Sequence, residues 1–324
     1  RDAGKLNRAM VQLGAQSWDE LRKTLLEGTS APVVPRYKAL FSVQQSAPSA
    51  SEAVATLSNA LPLQTDSVLL RHEAAYVLGQ LGDVSAIGTL RQLLLDETED
   101  EIVRHEAAEA LAALRSEDEA LATELTAVAK NTGSEALRHT CELAVAGLEQ
   151  DKAEALPVCV CQYASKDPAE GLANATEGDV PWAAERLADS SLPLFERYRG
   201  MFTLRNVGGD EAVKALAKML LSDTSSAVLR HEVAFVLGQM ADETATKALV
   251  EALTHTEEHG MVRHEAAIAL GNIGTDGAEE ALRQYVKDPD LLVAQSCEVA
   301  LSTIAYWKAW EELEARIAAG DEDA

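Results

Sequence analysis

Four of the seven histidines in this chain are followed directly by a glutamate, and an arginine precedes each pair. The pairs are His72-Glu73, His105-Glu106, His231-Glu232 and His264-Glu265. Imidazole and carboxylate ligands together suit a divalent transition metal such as iron, manganese or zinc, whereas calcium and magnesium sites are built from oxygens alone. The pairs therefore predict a metal centre.

The spacing of the pairs indicates an internal repeat. Within each half of the chain, the two histidines of the pairs lie 33 residues apart. At longer range, LLRHEAAYVLGQLGD at 69–83 matches VLRHEVAFVLGQMAD at 228–242, an offset of 159 residues. A related unit without the pair closes each half, LRHTCELAV at 137–145 and VAQSCEVAL at 293–301. The chain therefore contains two copies of a four-unit array, eight units in all.

Each unit is predicted to be two helices, an outer helix and then an inner helix that begins at the Arg-His-Glu. Apolar residues recur at helical spacing, and aromatic residues supply only 4% of the chain, which favours closely packed helices over sheets. The glycines expected to stop the inner helices are Gly79, Gly82, Gly238 and Gly271. The predicted fold is all-α, a HEAT-like α-solenoid of eight helical-hairpin repeats in two symmetric four-repeat halves.

The repeat boundaries predict the domain organisation. Residues 1–150 are assigned to the N-terminal half, residues 151–180 to a linker with several prolines and glycines, and residues 181–316 to the C-terminal half. Residues 317–324 are expected to form an acidic tail. If the linker is long and mobile, the halves can close face to face like a clamp and bring two metal ions within ~4 Å of each other.

Helix geometry limits how each pair can bind a metal. Adjacent residues on a helix point about 100° apart, so the histidine and glutamate of one pair cannot both aim at one point from the middle of a helix. We expect the pairs to flank a site near the helix starts. One half offers two histidines and one or two carboxylates, which is close to the set of two histidines and one carboxylate that holds non-heme iron. Spacing alone leaves open which glutamates are ligands.

The charge of the chain limits its partners. Lysines and arginines number 28 against 53 acidic residues, and the resulting net charge of −25 repels nucleic acid and anionic membranes. We expect a basic macromolecular partner, no nucleic acid and no membrane contact. No apolar run approaches the ~20 residues that a membrane-spanning helix needs. The four cysteines form no disulfide framework, so a reducing, cytoplasmic location is expected.

The remaining candidate residues are interpreted as structural. His139 lacks the following glutamate and is expected to pack, while His255 and His259 are expected in a solvated surface turn. The isolated C-x-C at 159–161 is weak evidence for metal or redox chemistry. An arginine also occurs at Arg138, where no His-Glu pair follows, which indicates ion pairs along the solenoid rather than catalysis.

Two alternatives to this metal chemistry remain open. Duplicated repeats can inherit surface residues that they do not use, and a metal-free HEAT adaptor that binds proteins would need no His-Glu pairs. The retention of the pairs in the middle repeats of both halves, and their loss from the other repeats, argues against inheritance without use. A HEAT-like bilin lyase is the second alternative, although the chain carries no chromophore-attachment signature.

Taken together, these motifs resemble the deoxyhypusine hydroxylases, a family of HEAT-repeat enzymes with two four-repeat halves and four His-Glu pairs. The resemblance covers residues 30–305, nearly the whole chain. Its specific signatures are LLRHEAAYVLGQ at 69–80, VRHEAAEAL at 103–111, PLFERYRGMFTLRNVGGDEA at 193–212, LRHEVAFVLGQM at 229–240 and MVRHEAAIAL at 261–270.

The resemblance implies an O2-dependent hydroxylation of a deoxyhypusine side chain on a translation factor, at a non-heme di-iron centre of two Fe ions (Fe2+/Fe3+). The implied ligands of one iron are His72, His105 and Glu106, and those of the other are His231, His264 and Glu265. Glu73 and Glu232 are implied to lie behind the ligands and to bind the cationic amines of the substrate. The implied partner is the deoxyhypusine-containing translation factor, and we expect the enzyme to be a monomer.

Overall fold

The computed structural model of the protein describes residues 16–114, 119–153, 163 and 165–318. These residues form sixteen α-helices and no strand. The outer helices are α1 (Trp18–Leu26), α3 (Ala50–Ala60), α5 (Ile87–Leu95), α7 (Glu119–Asn131), α9 (Val180–Ala188), α11 (Asp210–Ser222), α13 (Thr246–Thr254) and α15 (Asp276–Tyr285). The inner helices are α2 (Val33–Ser46), α4 (Val68–Leu81), α6 (Glu101–Ala113), α8 (Glu135–Ala153), α10 (Leu194–Val207), α12 (Ala227–Met240), α14 (Gly260–Ile273) and α16 (Leu291–Ala318).

Eight outer and inner pairs confirm the predicted fold class. The C-x-C at 159–161 and most of the predicted acidic tail lie outside the described residues. Helix α8 extends to Ala153, three residues beyond the end assigned to the first half from the sequence. Within the described residues, no helix has both the length and the apolarity needed to cross a membrane.

The four motif-bearing inner helices begin three residues before the arginine, and not at the arginine as the sequence suggested. The cause is the residue that caps each helix, because its side chain accepts a hydrogen bond from a backbone N–H of the first turn. These capping residues are Ser67, Asp100, Ser226 and His259. Each histidine of the motif consequently lies at the fifth helical position, in the second turn.

Three of the four glycines expected to stop the inner helices have a different role. Gly82 ends α4 in the left-handed region, at φ 70°, but Gly79, Gly238 and Gly271 lie inside their helices. A Cβ atom built on Gly79 would be 2.8 Å from the Cα of Ala110 on α6, and one on Gly271 would be 2.8 Å from the Cα of Ala300 on α16. These glycines therefore allow neighbouring inner helices to approach closely.

The two halves meet face to face, and the last inner helix of each half packs against the first two inner helices of the other. At one junction the hydroxyl of Ser67 donates a hydrogen bond to Oε1 of Gln295 over 2.6 Å. At the equivalent junction, Nδ1 of His139 is 3.1 Å from Oγ of Ser226. The expected packing role of His139 thus has a specific partner, the capping serine of α12.

His259 is half-buried and does not lie in a free surface turn, which corrects the sequence interpretation. Its Nδ1 accepts a hydrogen bond from the backbone N–H of Met261 and so caps α14. Its Nε2 is 3.1 Å from Oε1 of Glu101, the first residue of α6 in the other half. The starts of α6 and α14 therefore meet near the centre of the molecule.

The second part of the predicted linker contacts both halves. The backbone N–H of Lys166 donates to Oε1 of Gln80 over 3.0 Å, and Asp167 forms an ion pair of 2.5 Å with the buried side chain of Arg205. Further along, the N–H of Leu172 donates to a side chain of α10. This segment lies beside the C-terminal ends of α4 and α12, and it forms part of the wall of the central cavity.

Candidate metal centre

The four motif histidines converge at the centre of the molecule from α4, α6, α12 and α14. Each is buried, with 4% or less of its surface exposed. The ring centroids of His72 and His264 are 5.1 Å apart, and those of His105 and His231 are 5.3 Å apart, so the closest contacts join the two halves. Residues separated by more than a hundred positions therefore form one cluster.

The cluster contains several sets of donor atoms close enough to hold a metal ion. One set is His231, His264 and Glu265, whose donor atoms lie within 4.8 Å of one another, as the sequence hypothesis requires for the second metal. The hypothesised first set does not form one such group, because His105 and Glu106 group with Glu109. Nε2 of His72 is nevertheless 3.3 Å from Oε2 of Glu106. His72 also groups with His105 and His231, and with Glu73 and His264.

Buried imidazole nitrogens without a hydrogen-bond partner make this cluster a candidate metal site. Among the described residues, they are both ring nitrogens of His72 and His231 and the Nε2 atoms of His105 and His264. Burying such polar atoms without a partner is costly, and nearly all buried polar groups in folded proteins are satisfied. A metal ion would satisfy these lone pairs, so the residues present fit one.

Two hydroxyl groups that the sequence interpretation missed fix the orientation of two histidines. Thr140 donates its hydroxyl proton to the carbonyl oxygen of Ala136, so its oxygen accepts a hydrogen bond from Nδ1 of His105, 2.6 Å away. Ser296 is arranged in the same way beside Nδ1 of His264, at 2.8 Å. Both histidines are thus protonated on Nδ1, which leaves the Nε2 lone pair free for a metal.

A sequence signal for these hydroxyls did exist. The fourth repeat of each half has lost the His-Glu pair, and Thr140 and Ser296 occupy the position of the lost glutamate. The same small hydroxyl residue type therefore occurs at one repeat position in both halves. Equivalent positions of neighbouring inner helices are adjacent in a solenoid, so a residue one position after the equivalent of a motif histidine can reach the histidine of the preceding repeat.

Burial shifts the pKa of several histidines and glutamates in the cluster in the direction that favours their neutral forms. Burial lowers the pKa of His105 to about 4 and lowers that of His231 and His264 well below the usual value. Burial, followed by repulsion from Glu106, raises the pKa of Glu265 to about 8. Neutral imidazoles are ready to bind a metal, and a bound cation would stabilise the carboxylates.

Glu73 and Glu232 lie at the inner end of a central cavity of about 260 Å3. Burial and neighbouring carboxylates raise the pKa of both residues well above the usual value. The cavity extends from the histidines towards the C-terminal ends of α4, α6, α12 and α14, where its walls include Phe41, Tyr76 and Phe235. Carboxyl groups at the base and aromatic rings along the walls suit a long cationic side chain.

Three of the four arginines that precede the pairs form ion pairs with acidic residues, as predicted, whereas Arg104 donates a hydrogen bond to the carbonyl oxygen of Leu94. Arg71 contacts Glu99 at 2.8 Å, and Arg230 contacts Glu258 at 2.7 Å in the equivalent position of the other half. Both contacts point away from the histidines, since neither glutamate lines the cavity. These arginines stabilise the connection between repeats and do not contribute to the centre.

Comparison with known proteins agrees with this architecture. The HEAT-repeat family profile matches residues 19–112, 54–146, 213–302 and 246–323. Deoxyhypusine hydroxylase of Rattus norvegicus is 41% identical over 297 residues, which cover 90% of this chain and 92% of that protein. The enzyme of Danio rerio is 40% identical over 292 residues, covering 87% of this chain and 90% of that protein.

A solved structure supports the same relationship. The structure of human deoxyhypusine hydroxylase in complex with glycerol is 38% identical, with a TM-score of 0.81, and the match covers 94% of this chain and 98% of that chain. Identity at this level over the full architecture, together with the HEAT repeats, confirms the resemblance of the sequence motifs. The chain belongs to the deoxyhypusine hydroxylase family.

Proposed function

We propose that this protein hydroxylates the side chain of deoxyhypusine on a translation factor, with O2 as co-substrate at a non-heme di-iron centre, and so completes hypusine synthesis. The observation that carries the proposal is the convergence of buried, unpartnered imidazole nitrogens from both halves beside buried glutamates. Membership of the deoxyhypusine hydroxylase family supports the reaction and the substrate.

The proposed iron ligands follow the symmetry of the two halves. One iron would be held by His72, His105 and Glu106, and the other iron would be held by His231, His264 and Glu265. Histidine and carboxylate donors with open positions suit iron that reacts with oxygen. Bound iron would supply the activation of O2 that a hydroxylation of an unactivated carbon requires.

The protein contributes orientation and exclusion of water. Thr140 and Ser296 hold two imidazoles with Nε2 towards the centre, which fixes the ligands before a metal binds. In the proposal, the carboxylates of Glu73 and Glu232 bind the cationic amines of the substrate and hold the aliphatic carbons beside the centre. Aromatic walls at Phe41, Tyr76 and Phe235 contact the methylene groups and exclude water.

The partner in this proposal is the translation factor that carries deoxyhypusine. Such a modified side chain is a lysine extended by an aminobutyl group, so it presents two amines on a long aliphatic stem. The net charge of −25 favours approach of a protein with a basic site. A cavity lined by several carboxyl groups then selects the cationic side chain.

Separate substitution of Glu106 and Glu73 tests the roles. We expect Glu106→Gln to lose iron, measured by metal analysis, and with it the visible absorption of oxygen-exposed protein. Glu73→Gln should retain iron and lose affinity for the deoxyhypusine-bearing factor by about 10- to 100-fold, the effect of removing one charged hydrogen-bond partner.

The wild-type protein provides the reference, since it should contain about two irons per chain when produced with ample iron. Supplied with O2 and a chemical reductant that delivers two electrons, it should also add one oxygen atom to the factor, detected by mass spectrometry, while the second oxygen atom leaves as water. Wild-type protein that lacks iron under these conditions, or that leaves the factor unchanged, would contradict the proposed function. Iron loss in Glu73→Gln with retention in Glu106→Gln would reverse the role assignment.

A further inference from the structure

The central cavity is built from two nearly equivalent halves, and one layer of its wall breaks the symmetry. This layer comprises the residues four positions after the motif histidines, and all of them line the cavity: Tyr76, Glu109, Phe235 and Ile268. Tyr76 and Phe235 are equivalent aromatic residues whose ring centroids are 6.0 Å apart. Glu109 and Ile268 occupy equivalent positions, but Glu109 is acidic and Ile268 is apolar.

Glu109 offers an acceptor that none of the described residues satisfies. Its Oε1 atom is buried and has no hydrogen-bond partner among the described residues. Burial, together with the nearby carboxyl groups of Glu232 and Glu106, raises its pKa well above the usual value. A buried acceptor surrounded by other carboxyl groups is costly without a cation, so the feature indicates a ligand with a positive charge.

The height of Glu109 in the cavity distinguishes it from the other glutamates. Equivalent positions of α4, α6 and α12 lie side by side, so Glu109 is three residues nearer the mouth than Glu73 and Glu232. That difference corresponds to about 4–5 Å along the helix axis. The two amines of deoxyhypusine are separated by a butyl chain, which spans a comparable length.

We propose that Glu109 binds the secondary amine of deoxyhypusine while Glu73 and Glu232 share the terminal amine, and that Glu109 thereby selects one of the two orientations open to a substrate in a pseudo-symmetric centre. This inference rests on the proposed function, narrows the role of Glu73 and Glu232 to the terminal amine and adds Glu109 as a positioning residue for the secondary amine. Ile268, on the opposite wall, contacts the aliphatic stem. A carboxylate at both positions would remove the distinction between the halves.

The competing explanation is that Glu109 binds a metal ion, because its carboxylate lies within 4.8 Å of donor atoms of His105 and Glu106. The equivalent position in the other half is Ile268, so a ligand there would give the two metals unlike coordination. Iron content separates the two roles. Under our proposal, Glu109→Gln retains the iron of the wild type.

The test compares two small amines that bind to iron-loaded protein without oxygen, by calorimetric titration. N-methylputrescine carries both amines, whereas n-butylamine carries only the terminal one. We expect wild type to prefer N-methylputrescine by about 10- to 100-fold, as one charged hydrogen bond provides. Glu109→Gln should abolish this preference and leave n-butylamine affinity unchanged, whereas Glu73→Gln should weaken both ligands.

Ile268→Gln is the matched control, since it places an amide at the equivalent position and should keep the wild-type preference. The inference is overturned if Glu109→Gln keeps the preference, weakens both amines equally or loses iron. Hydroxylation of the deoxyhypusine-bearing factor by wild type is measured beside these titrations. Failure of that reaction contradicts the proposed function, whereas active wild type with an unaltered Glu109→Gln variant contradicts only the inference.

Discussion

The hydroxyl groups of Thr140 and Ser296 decide which nitrogen of His105 and His264 faces the centre. Each hydroxyl donates its proton to a carbonyl oxygen of its own helix, so it can only accept a hydrogen bond from the imidazole. The four Arg-His-Glu tripeptides therefore differ in the environment of their histidines although their sequences are identical. His72 and His231 have no such partner among the described residues, and their orientation depends on packing.

Removal of the Thr140 hydroxyl should weaken metal binding without altering the fold. In Thr140→Val, Nδ1 of His105 loses its acceptor, so the imidazole is no longer held in one tautomer and orientation. We expect metal affinity to fall by roughly 10- to 100-fold, the usual effect of losing a partner of a metal-bound histidine. Competition with a chelator measures the affinity.

Thr126→Val is the matched control for this substitution. Thr126 on α7 donates to the carbonyl oxygen of Ala122 in the same intrahelical geometry, at 2.7 Å, and it lies outside the central cavity. Metal affinity should be unchanged in this variant. Equal losses in the two variants would show that the effect comes from the helix and not from His105.

At the level of helices, close packing of α4 on α6 sets the distance between the ligands that they carry. Gly79 is in contact with Ala110, and Gly238 makes the equivalent contact with Ala269 in the other half. A side chain at either glycine would separate the two helices. Because His72 lies two turns before Gly79, the separation would also move His72 relative to His105.

We expect Gly79→Ala to destabilise the protein by about 1–3 kcal/mol, the usual cost of inserting a group into a packed core. Its iron content should fall as well. Gly88→Ala on outer helix α5 is the control, because a Cβ there meets nothing within 4 Å. That variant should be neutral or gain up to about 1 kcal/mol from helix propensity. Thermal denaturation and metal analysis measure both; a fully stable, iron-loaded Gly79→Ala protein would contradict the packing argument.

For the whole molecule, closure of the two halves on each other creates the centre, because each half alone supplies only half of the histidines. The junctions are themselves pseudo-symmetric, with a capping serine of one half bonded to the last inner helix of the other. The ion pair between Glu101 and His259 joins the helix starts nearest the histidines.

This ion pair should stabilise closure in a limited pH range. The hydrogen bond with Glu101 raises the pKa of His259 above 6.5. Protonated His259 therefore contributes to the free energy of unfolding below pH 6.5, and this contribution is lost as the pH rises through the raised pKa. The hydrogen bond with His259 lowers the pKa of Glu101 from 4.5 to about 2. The contribution of ionised Glu101 to the free energy of unfolding is therefore lost only as the pH falls below 4.5. The pair is therefore strongest between these two limits.

A double-mutant cycle measures the pair through thermal unfolding. His259→Asn retains a side chain that can cap α14, and Glu101→Gln removes the charge. Both residues are more than a third exposed, so we expect a coupling of about 1 kcal/mol or less at about pH 6, which disappears at about pH 9. Equal coupling at the two pH values would contradict a charged interaction.

Much of the fold and of the site was predictable because both depend on short-range periodicity. The 33-residue spacing of His72 and His105 fixes the repeat, and the repeat fixes an all-α solenoid in which equivalent positions are neighbours. The same regularity identified all four histidines of the cluster. Helix starts were less predictable, because capping by residues such as Ser67 moved them by one turn.

The sequence by itself determined the repeats, the fold class, the family resemblance and the His-Glu pairs, since each is a matter of residue types at regular spacing. Only the tertiary structure decided that His72 meets His264 and His105 meets His231, that Thr140 and Ser296 orient two imidazoles, and that Glu109 breaks the symmetry of the cavity. The physical reason is that these contacts depend on the curvature of the solenoid and on the closure of its halves. Small rotations accumulate over many repeats, and no local pattern specifies their sum.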